Sequence, residues 1–342
     1  MTTSTPILVT GPILVTGVAG FIGRALADRL LTGGFSVVGV DSLQNPLEPK
    51  LAEARLGTLR NRQGFTFEQV DLADRASSDA LFRTVRPDIV LHLAARAGVR
   101  ASMEDPHAYT RANVEGFLNV LEGARNGDLK HLIYASSSSV YGSRSEAPFA
   151  ETDPVDHPVS LYAATKRANE LMAHSYSHLY GVPTTGLRFF TVYGPYGRPD
   201  MAVYMFTKAI FEGKPITLYE GGSLLRDFTY VDDIVEGIVR LVDQPPVPNE
   251  HAEARPDRAA APYRVLNIGN QNPVRVRELV SLIEEEVGKK AVIRSLPMPL
   301  SDVPMTCANT EELSSLTGFH PATPLKDGVA RFVDWYRGFY GV

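Results

Sequence analysis

The stretch PILVTGVAGFIG, Pro12 to Gly23, joins an apolar run ending in Thr-Gly to three glycines at every third position. An apolar run that meets a tight turn predicts a buried strand, and the RALADRLL that follows predicts a helix. In a strand-turn-helix unit of this kind the backbone N–H groups can approach a pyrophosphate at the positive end of the helix, where side chains would obstruct it. Gly17, Gly20 and Gly23 meet that need. The hexapeptide PILVTG also stands immediately upstream, from Pro6 to Gly11, without glycines to continue it. That copy is read as an extension that needs no function, either a cloning or start-site scar or a pendant segment. Residues 1–11 are therefore set apart from the fold.

Outward from the turn, short β-rich runs alternate with helical patterns as far as about Phe190: FSVVGVD, FTFEQVD, DIVLHLAA, HLIYASSSS and TTGLRFF. Such alternation builds a parallel sheet with helices on both faces. The fold class expected is α/β, a doubly wound parallel Rossmann sheet with a smaller C-terminal substrate-binding region. Residues 12–190 with 228–270 are assigned to the dinucleotide-binding domain, and 191–227 with 271–342 to the substrate side. Gly33-Gly34 ends the first helix, and Asn113 is expected to open the helical run VEGFLNVLEGAR before Gly127. PPVPNEHAEARPDRAAAP, residues 245–262, lacks an apolar period and is expected to be a mobile surface loop. Later, YRVLNIGN predicts a strand, and RELVSLIEEEVGK and LKDGVARFVDWYR predict amphipathic helices.

Composition limits the partners. Of 342 residues, 44% are apolar and 21% charged, ordinary values for a globular chain. A net charge of -5 offers no basic footprint for nucleic acid. The single cysteine, Cys307, cannot form an internal disulfide, and one Cys with eight scattered His builds no metal site. Neither a signal peptide nor a bilayer-length apolar run is visible, so a soluble cytoplasmic protein without membrane attachment is expected.

Asp41 ends the run VVGVD about 20 residues beyond the turn, where a carboxylate accepts hydrogen bonds from the adenosine ribose and repels a 2′-phosphate. This favours NAD over NADP, with Arg24 beside the turn as the opposing sign. Asp71 could accept from the adenine amino group or cap the next helix, and both readings stand. The chemistry lies in ASSSSVYG and SLYAATKRANE. Tyr162 and Lys166, four apart on a predicted helix, share one face. A phenol of pKa about 10 is a poor base at neutral pH, but a neighbouring ammonium and the nicotinamide cation favour its phenolate. Tyr162 can then take a proton from an alcohol. Ser137, with Ser138 and Ser139 near it, could orient the same oxygen.

GVAGFIG, HLAARAGVR, SSSSVY, YAATK and LRFFTVYGP together resemble the extended short-chain dehydrogenase/reductase family over nearly the whole chain from Pro12. GRPDMAVYMFTKAIFEGKPITLYEGG and RDFTYVDDIVEGIVR narrow the resemblance to UDP-glucuronate 4-epimerases. That resemblance implies NAD as a bound catalyst, a UDP-sugar substrate, a 4-keto intermediate and a homodimer. It also implies that Phe21, Ile22, Leu72, Ala94 and Ala95 line the cofactor. Thr191 and Arg198 are assigned to the sugar carboxylate, Arg226 to the diphosphate and Asp302 to the uridine ribose. Leu218 and Tyr219 are assigned to the uracil pocket, and Arg100 to the sugar or phosphates. The chain reads MPLSDVP from Met298 where these relatives often read MQPGDVP, which alters a turn beside the uridine.

Neighbouring activities are distinguished by single positions. A 4,6-dehydratase carries Asp-Glu where this chain has Ser138 and Ser139, and UDP-glucuronate decarboxylases usually carry Glu at the position of Ser139. UDP-hexose 4-epimerases usually have Asn at the position of Thr191. A non-catalytic NAD-sensing regulator commonly loses the Tyr-Lys pair, which is present here.

Overall fold

The computed structural model describes residues 8–44, 48–251, 253–299 and 302–342. Its strands are β1 Ile13–Thr16, β2 Val37–Asp41, β3 Phe65–Gln69, β4 Ile89–His92, β5 His131–Ser137, β6 Thr184–Phe189, β7 Thr191–Tyr193, β8 Pro215–Tyr219, β9 Leu225–Tyr230, β10 Tyr263–Ile268, β11 Pro273–Arg275 and β12 Val292–Leu296. The helices are α1 Phe21–Thr32, α2 Pro49–Gly57, α3 Arg75–Val85, α4 Ala101–Glu104, α5 Pro106–Thr110, α6 Gly116–Arg125, α7 Leu161–Tyr180, α8 Ala202–Phe211, α9 Val231–Val239, α10 Val276–Val287, α11 Glu311–Thr317 and α12 Leu325–Tyr340.

Seven strands form one parallel sheet in the order β10-β6-β5-β4-β1-β2-β3. The central strands β1 and β4 are buried at every position, as a sheet covered on both faces requires. Strand order reverses between β1 and β4, which opens a crevice beyond their carboxyl ends. On the substrate side β9 lies between β7, parallel to it, and β11, antiparallel to it, while β8 pairs with β12. One apolar core joins the two regions. It runs from Ile13, Leu26 and Ile89 to Ile210, Ile283 and Phe332.

Two segments differ from expectation. Asn113 does not open its helix but lies inside it. Helical turns begin at Pro106 and pass through a π turn, Arg111–Glu115, into α6. The wide turn buries the Asn113 amide, which accepts from Arg96 N (2.8 Å) and donates to Arg96 O (2.9 Å) and Thr165 Oγ1 (3.1 Å). A helix-opening asparagine would instead have turned that amide back on its own N–H groups. The segment 245–262, expected to be mobile, contains a turn around the buried Asp257, which accepts from Arg255 and Arg258. Arg258 also pairs with Glu312 at the start of α11. Of the duplicated hexapeptide, Pro6 and Ile7 lie outside the described residues. Thr10 N and Gly11 N donate to Asp88, and Lys130 donates to Leu8 O.

Candidate active site

The glycine turn lies at the mouth of the crevice. Gly17 has a left-handed φ of 71°, and a Cβ there would stand 2.8 Å from Ala94 N, so the turn and the end of β4 are in contact. At Gly23 a Cβ would meet Gly17 O at 2.2 Å. Its glycine is thus required by the turn's own closure as much as by a ligand. No side chain caps the N-terminus of α1. Its free N–H groups and positive end suit a pyrophosphate.

Asp41 accepts from Ala19 N and Leu43 N, both at 3.0 Å, which aims its carboxylate over the turn; burial raises its pKa. Arg24 points elsewhere, with Nε on Thr58 Oγ1 (3.1 Å) and its guanidinium 4.6 Å from the centre of the Tyr196 ring. The residues therefore fit a dinucleotide with a free ribose hydroxyl. Asp71 does not cap α3, because Asp74 does so by accepting from Ser77 N. Asp71 instead accepts from Ala73 N and from Arg111. Phe21 and Leu72 bury their side chains in the core and can offer only backbone to a cofactor, whereas Ile22 and Ala94 are half-buried and Ala95 is exposed.

Strand β5 and helix α7 present the reactive groups. Ser160 caps α7 by accepting from Ala163 N (3.1 Å), which places Tyr162 in the first turn. Ser102 Oγ, on α4, accepts from Tyr162 N (3.2 Å). Three consecutive residues of β5 then meet three residues of α7 spaced one turn apart. Ala135 O accepts from Lys166 Nζ at 2.9 Å, Ser136 Oγ donates to Glu170 at 2.6 Å, and the Ser137 hydroxyl lies beside the Tyr162 phenol. Ser139 stands behind Ser137, with N and Oγ at 3.2 and 3.1 Å from Ser137 Oγ. Ser138 and Ser139 are half-buried in a short 3-10 turn.

Burial raises the Tyr162 pKa, while the Arg198 guanidinium and the Ser137 hydroxyl act to lower it. The four-residue spacing gives the supporting charge to Lys166. In the structure, burial pushes Lys166 down to about 8 with its Nζ on Ala135 O, and the Arg198 guanidinium is a further cation acting on the phenol. Arg198 reaches this position through Ala97 O, which accepts from it (3.2 Å) and from Tyr109 OH (2.9 Å). The Tyr109 ring in turn packs edge-on against Tyr162. Asp200 holds Nε and one terminal nitrogen of Arg198. The other terminal nitrogen, NH1, has no hydrogen-bond partner among the described residues and can receive an anion. Thr191, half-buried, opens β7.

The remaining substrate candidates lie on the smaller sheets. Arg226 pairs with Asp302 and donates to Leu225 O (2.7 Å), so the two residues assigned to diphosphate and ribose adjoin one another. Arg100 donates to Tyr219 OH at 2.7 Å, with its cation 5.6 Å from the ring centre. Leu218 can offer only backbone at the place assigned to uracil. It is 1% exposed and packs inward with the core, because alternate residues of β8 face opposite ways and Tyr219 takes the outward position. The altered turn, Leu300 and Ser301, lies outside the described residues.

Several site-building residues were not singled out from the sequence. Arg188 and Glu170 form a fully buried bidentate pair at 2.9 and 3.0 Å. A charge in the apolar run TTGLRFF and a Glu one turn beyond Lys166 were the available signals. Asp227, buried on β9, accepts from Asn270 N, Gln271 N and Ala308 N and so ties three segments together. Thr16 and His92 join the ends of β1 and β4 at 2.9 Å, and burial holds His92 down to about 3 and hence neutral. Arg55 is treated below.

Residues 13–254 match the model of a family described as the NAD dependent epimerase/dehydratase family. The protein CapI of Staphylococcus aureus is 50% identical, over 96% of this chain and 99% of its own. A probable UDP-glucuronate 4-epimerase of Rhizobium meliloti is 48% identical, over 96% of this chain and 97% of its own. A crystal structure of UDP-glucuronic acid 4-epimerase from Bacillus cereus, in complex with UDP-glucuronic acid and NAD, superposes with a TM-score of 0.86. It is 32% identical and covers 96% of this chain and 100% of its own.

Proposed function

Since the chain belongs to the NAD dependent epimerase/dehydratase family, we propose that it is a UDP-glucuronate 4-epimerase, converting UDP-glucuronate and UDP-galacturonate into one another. The observation that carries this reading is a guanidinium, that of Arg198, acting on the Tyr162 phenol while keeping NH1 free for an anion. A sugar seated with its 4-hydroxyl at Tyr162 would bring its carboxylate within the field of Arg198. Neutral hexoses have no use for that charge.

NAD, when bound, accepts the hydride from carbon 4 and gives it back to the opposite face of the 4-keto sugar. Tyr162, as phenolate, removes the 4-hydroxyl proton and later restores it. Ser137 donates to the same oxygen and keeps it on the reactive side. Arg198 and Thr191 hold the carboxylate, whose orientation matters because the keto sugar is a β-keto acid. Loss of carbon dioxide breaks the C5–C6 bond and moves its electron pair into the C4 carbonyl as an enolate, which then takes a proton at carbon 5. That step needs the C5–C6 bond aligned with the carbonyl π system. A carboxylate clamped out of alignment resists it. The hydroxyls of Ser138 and Ser139 supply no carboxyl acid to assist elimination or decarboxylation.

Arg226 and Asp302 hold the diphosphate and ribose, and Tyr219 lines the uracil. The proposed assembly is a homodimer, supported by Leu118 on α6 and by Leu171, Leu179 and Tyr180 on α7, which are large apolar side chains left exposed on helices that pack together. A second copy of the same surface would cover them. Light scattering at twice the chain mass is the expected result, and a monomer at all concentrations would count against it. The proposed location is the cytoplasm, where NAD and nucleotide sugars are both supplied. Incubation with UDP-glucuronate and separation of the products tests the reaction directly: UDP-galacturonate is expected, whereas a pentose as the main product would assign decarboxylation instead.

A further inference from the structure

Arg55, on α2, is 8% exposed, and every hydrogen bond it donates goes to a backbone carbonyl. NH1 reaches Ala19 O (3.3 Å), inside the dinucleotide turn. Nε and NH2 reach Tyr196 O (3.0 and 2.7 Å), and NH2 also reaches Gly197 O (3.0 Å). Among the described residues no carboxylate pairs with it. A buried cation whose hydrogen bonds all go to carbonyls is costly to maintain, with the Asp41 charge favouring it and the Arg198 charge opposing it, so its geometry is informative. It spans from the cofactor turn to the turn that carries Arg198. Tyr196 has a left-handed φ of 61°, a conformation that a bulky residue keeps only when its surroundings hold it. Arg55 grips its carbonyl, Arg24 covers one side of its ring at 4.6 Å, and Trp335 packs at 5.0 Å between ring centres.

We propose that Arg55 is a positioning residue for substrate selectivity, bracing the Tyr196–Arg198 turn against the dinucleotide turn so that the uronate-binding guanidinium is set only when both turns are in place. The proposal rests on the reading that Arg198 holds the sugar carboxylate. Arg55 itself touches neither the reacting atoms nor the carboxylate. It acts by fixing where Arg198 can be, and it links occupancy of the cofactor site to the shape of the sugar site. Lysine would keep a positive charge at this place but could not reach three carbonyls from one planar fork.

The test uses the full-length, NAD-loaded protein with Arg55→Lys and Arg55→Met. In both variants the decarboxylated share of product should rise several-fold, and KM for UDP-glucuronate should rise by about tenfold, or 1.4 kcal/mol of binding. KM for UDP-glucose, which has no carboxylate, should move far less, and lysine should recover part of what methionine loses. Amide hydrogen exchange across 194–201 should also quicken in both. Folded variants with wild-type product ratio and unchanged exchange across 194–201 would overturn the proposal. If Arg198→Ala leaves the product ratio unchanged, the carboxylate assignment fails, and exchange across 194–201 still decides whether Arg55 braces the turn. Should neither variant fold, removing NAD from the wild-type protein should quicken exchange across 194–201 together with 17–23. No change at 194–201 would overturn the coupling.

Discussion

At the scale of single residues, Tyr162 is set between opposing influences: burial favours the neutral phenol, while Arg198 and Ser137 favour the phenolate. Tyr162→Phe removes the proposed proton acceptor and keeps the ring. It should lower kcat by at least about 100-fold and leave KM for UDP-glucuronate nearly unchanged, as steady-state kinetics would reveal. Near-normal turnover would remove Tyr162 from the mechanism. Arg198→Ala should weaken UDP-glucuronate binding by about 2–5 kcal/mol, the cost of truncating a charge partner that a bound sugar would cover, with little effect on UDP-glucose. Calorimetric titration with both nucleotides checks the contrast. Equal losses would indicate a general binding role. Tyr162 and Lys166 were legible because four-residue spacing on a helix is a local property. The second cation acting on Tyr162 was not legible, because Arg198 reaches it through Ala97 across the fold, and sequence spacing carries no information about such a path.

At the scale of elements, β5 and α7 are held in register by Lys166 on Ala135 O and by Glu170 on Ser136 Oγ. Behind them Arg188, on β6, satisfies the Glu170 carboxylate and also donates to Tyr141 OH and Glu151 O. Glu170→Ala would strand a buried guanidinium. It should cost about 3–5 kcal/mol of stability by urea unfolding, far above the value of an exposed pair. A loss below 1 kcal/mol would show that Arg188 finds other partners. The seven strands of the parallel sheet were legible from runs bounded by turn residues, and so were α1, α10 and α12 from their periods, whereas β9, β11 and β12 were not. The π turn was not. Asn113 has the chemistry of a helix start, and only the packing of α7, whose Asn169 donates to Asn113 O (2.7 Å), makes an interior position pay.

At the scale of the whole molecule, the alternation of runs foretold the parallel sheet, but the single core joining both regions was not visible, since apolar faces in sequence do not name their partners. One buried carboxylate gives this assembly a pH dependence. Burial raises the pKa of Glu151 to about 7 from 4.5, against the Asn267 N–H and the Arg188 charge. Between those values the folded chain keeps a proton that the unfolded chain releases. Stability from this group is therefore full below 4.5 and is lost as pH rises through 7. Glu151→Gln does not titrate, so its stability relative to the parent should improve by about 3 kcal/mol from pH 4.5 to above 7 in urea unfolding. A difference that stays constant with pH would show that Glu151 titrates normally. The strand order has a further consequence during synthesis. β6 takes its outer neighbour from β10, which follows β7, β8, β9 and residues 245–262 in the chain. Until residue 268 has cleared the ribosome, a nascent chain with the other six strands assembled presents the whole length of β6 as an open edge. Translational pausing in the interval between β6 and β10 should therefore favour aggregation or chaperone capture more than pausing after β10.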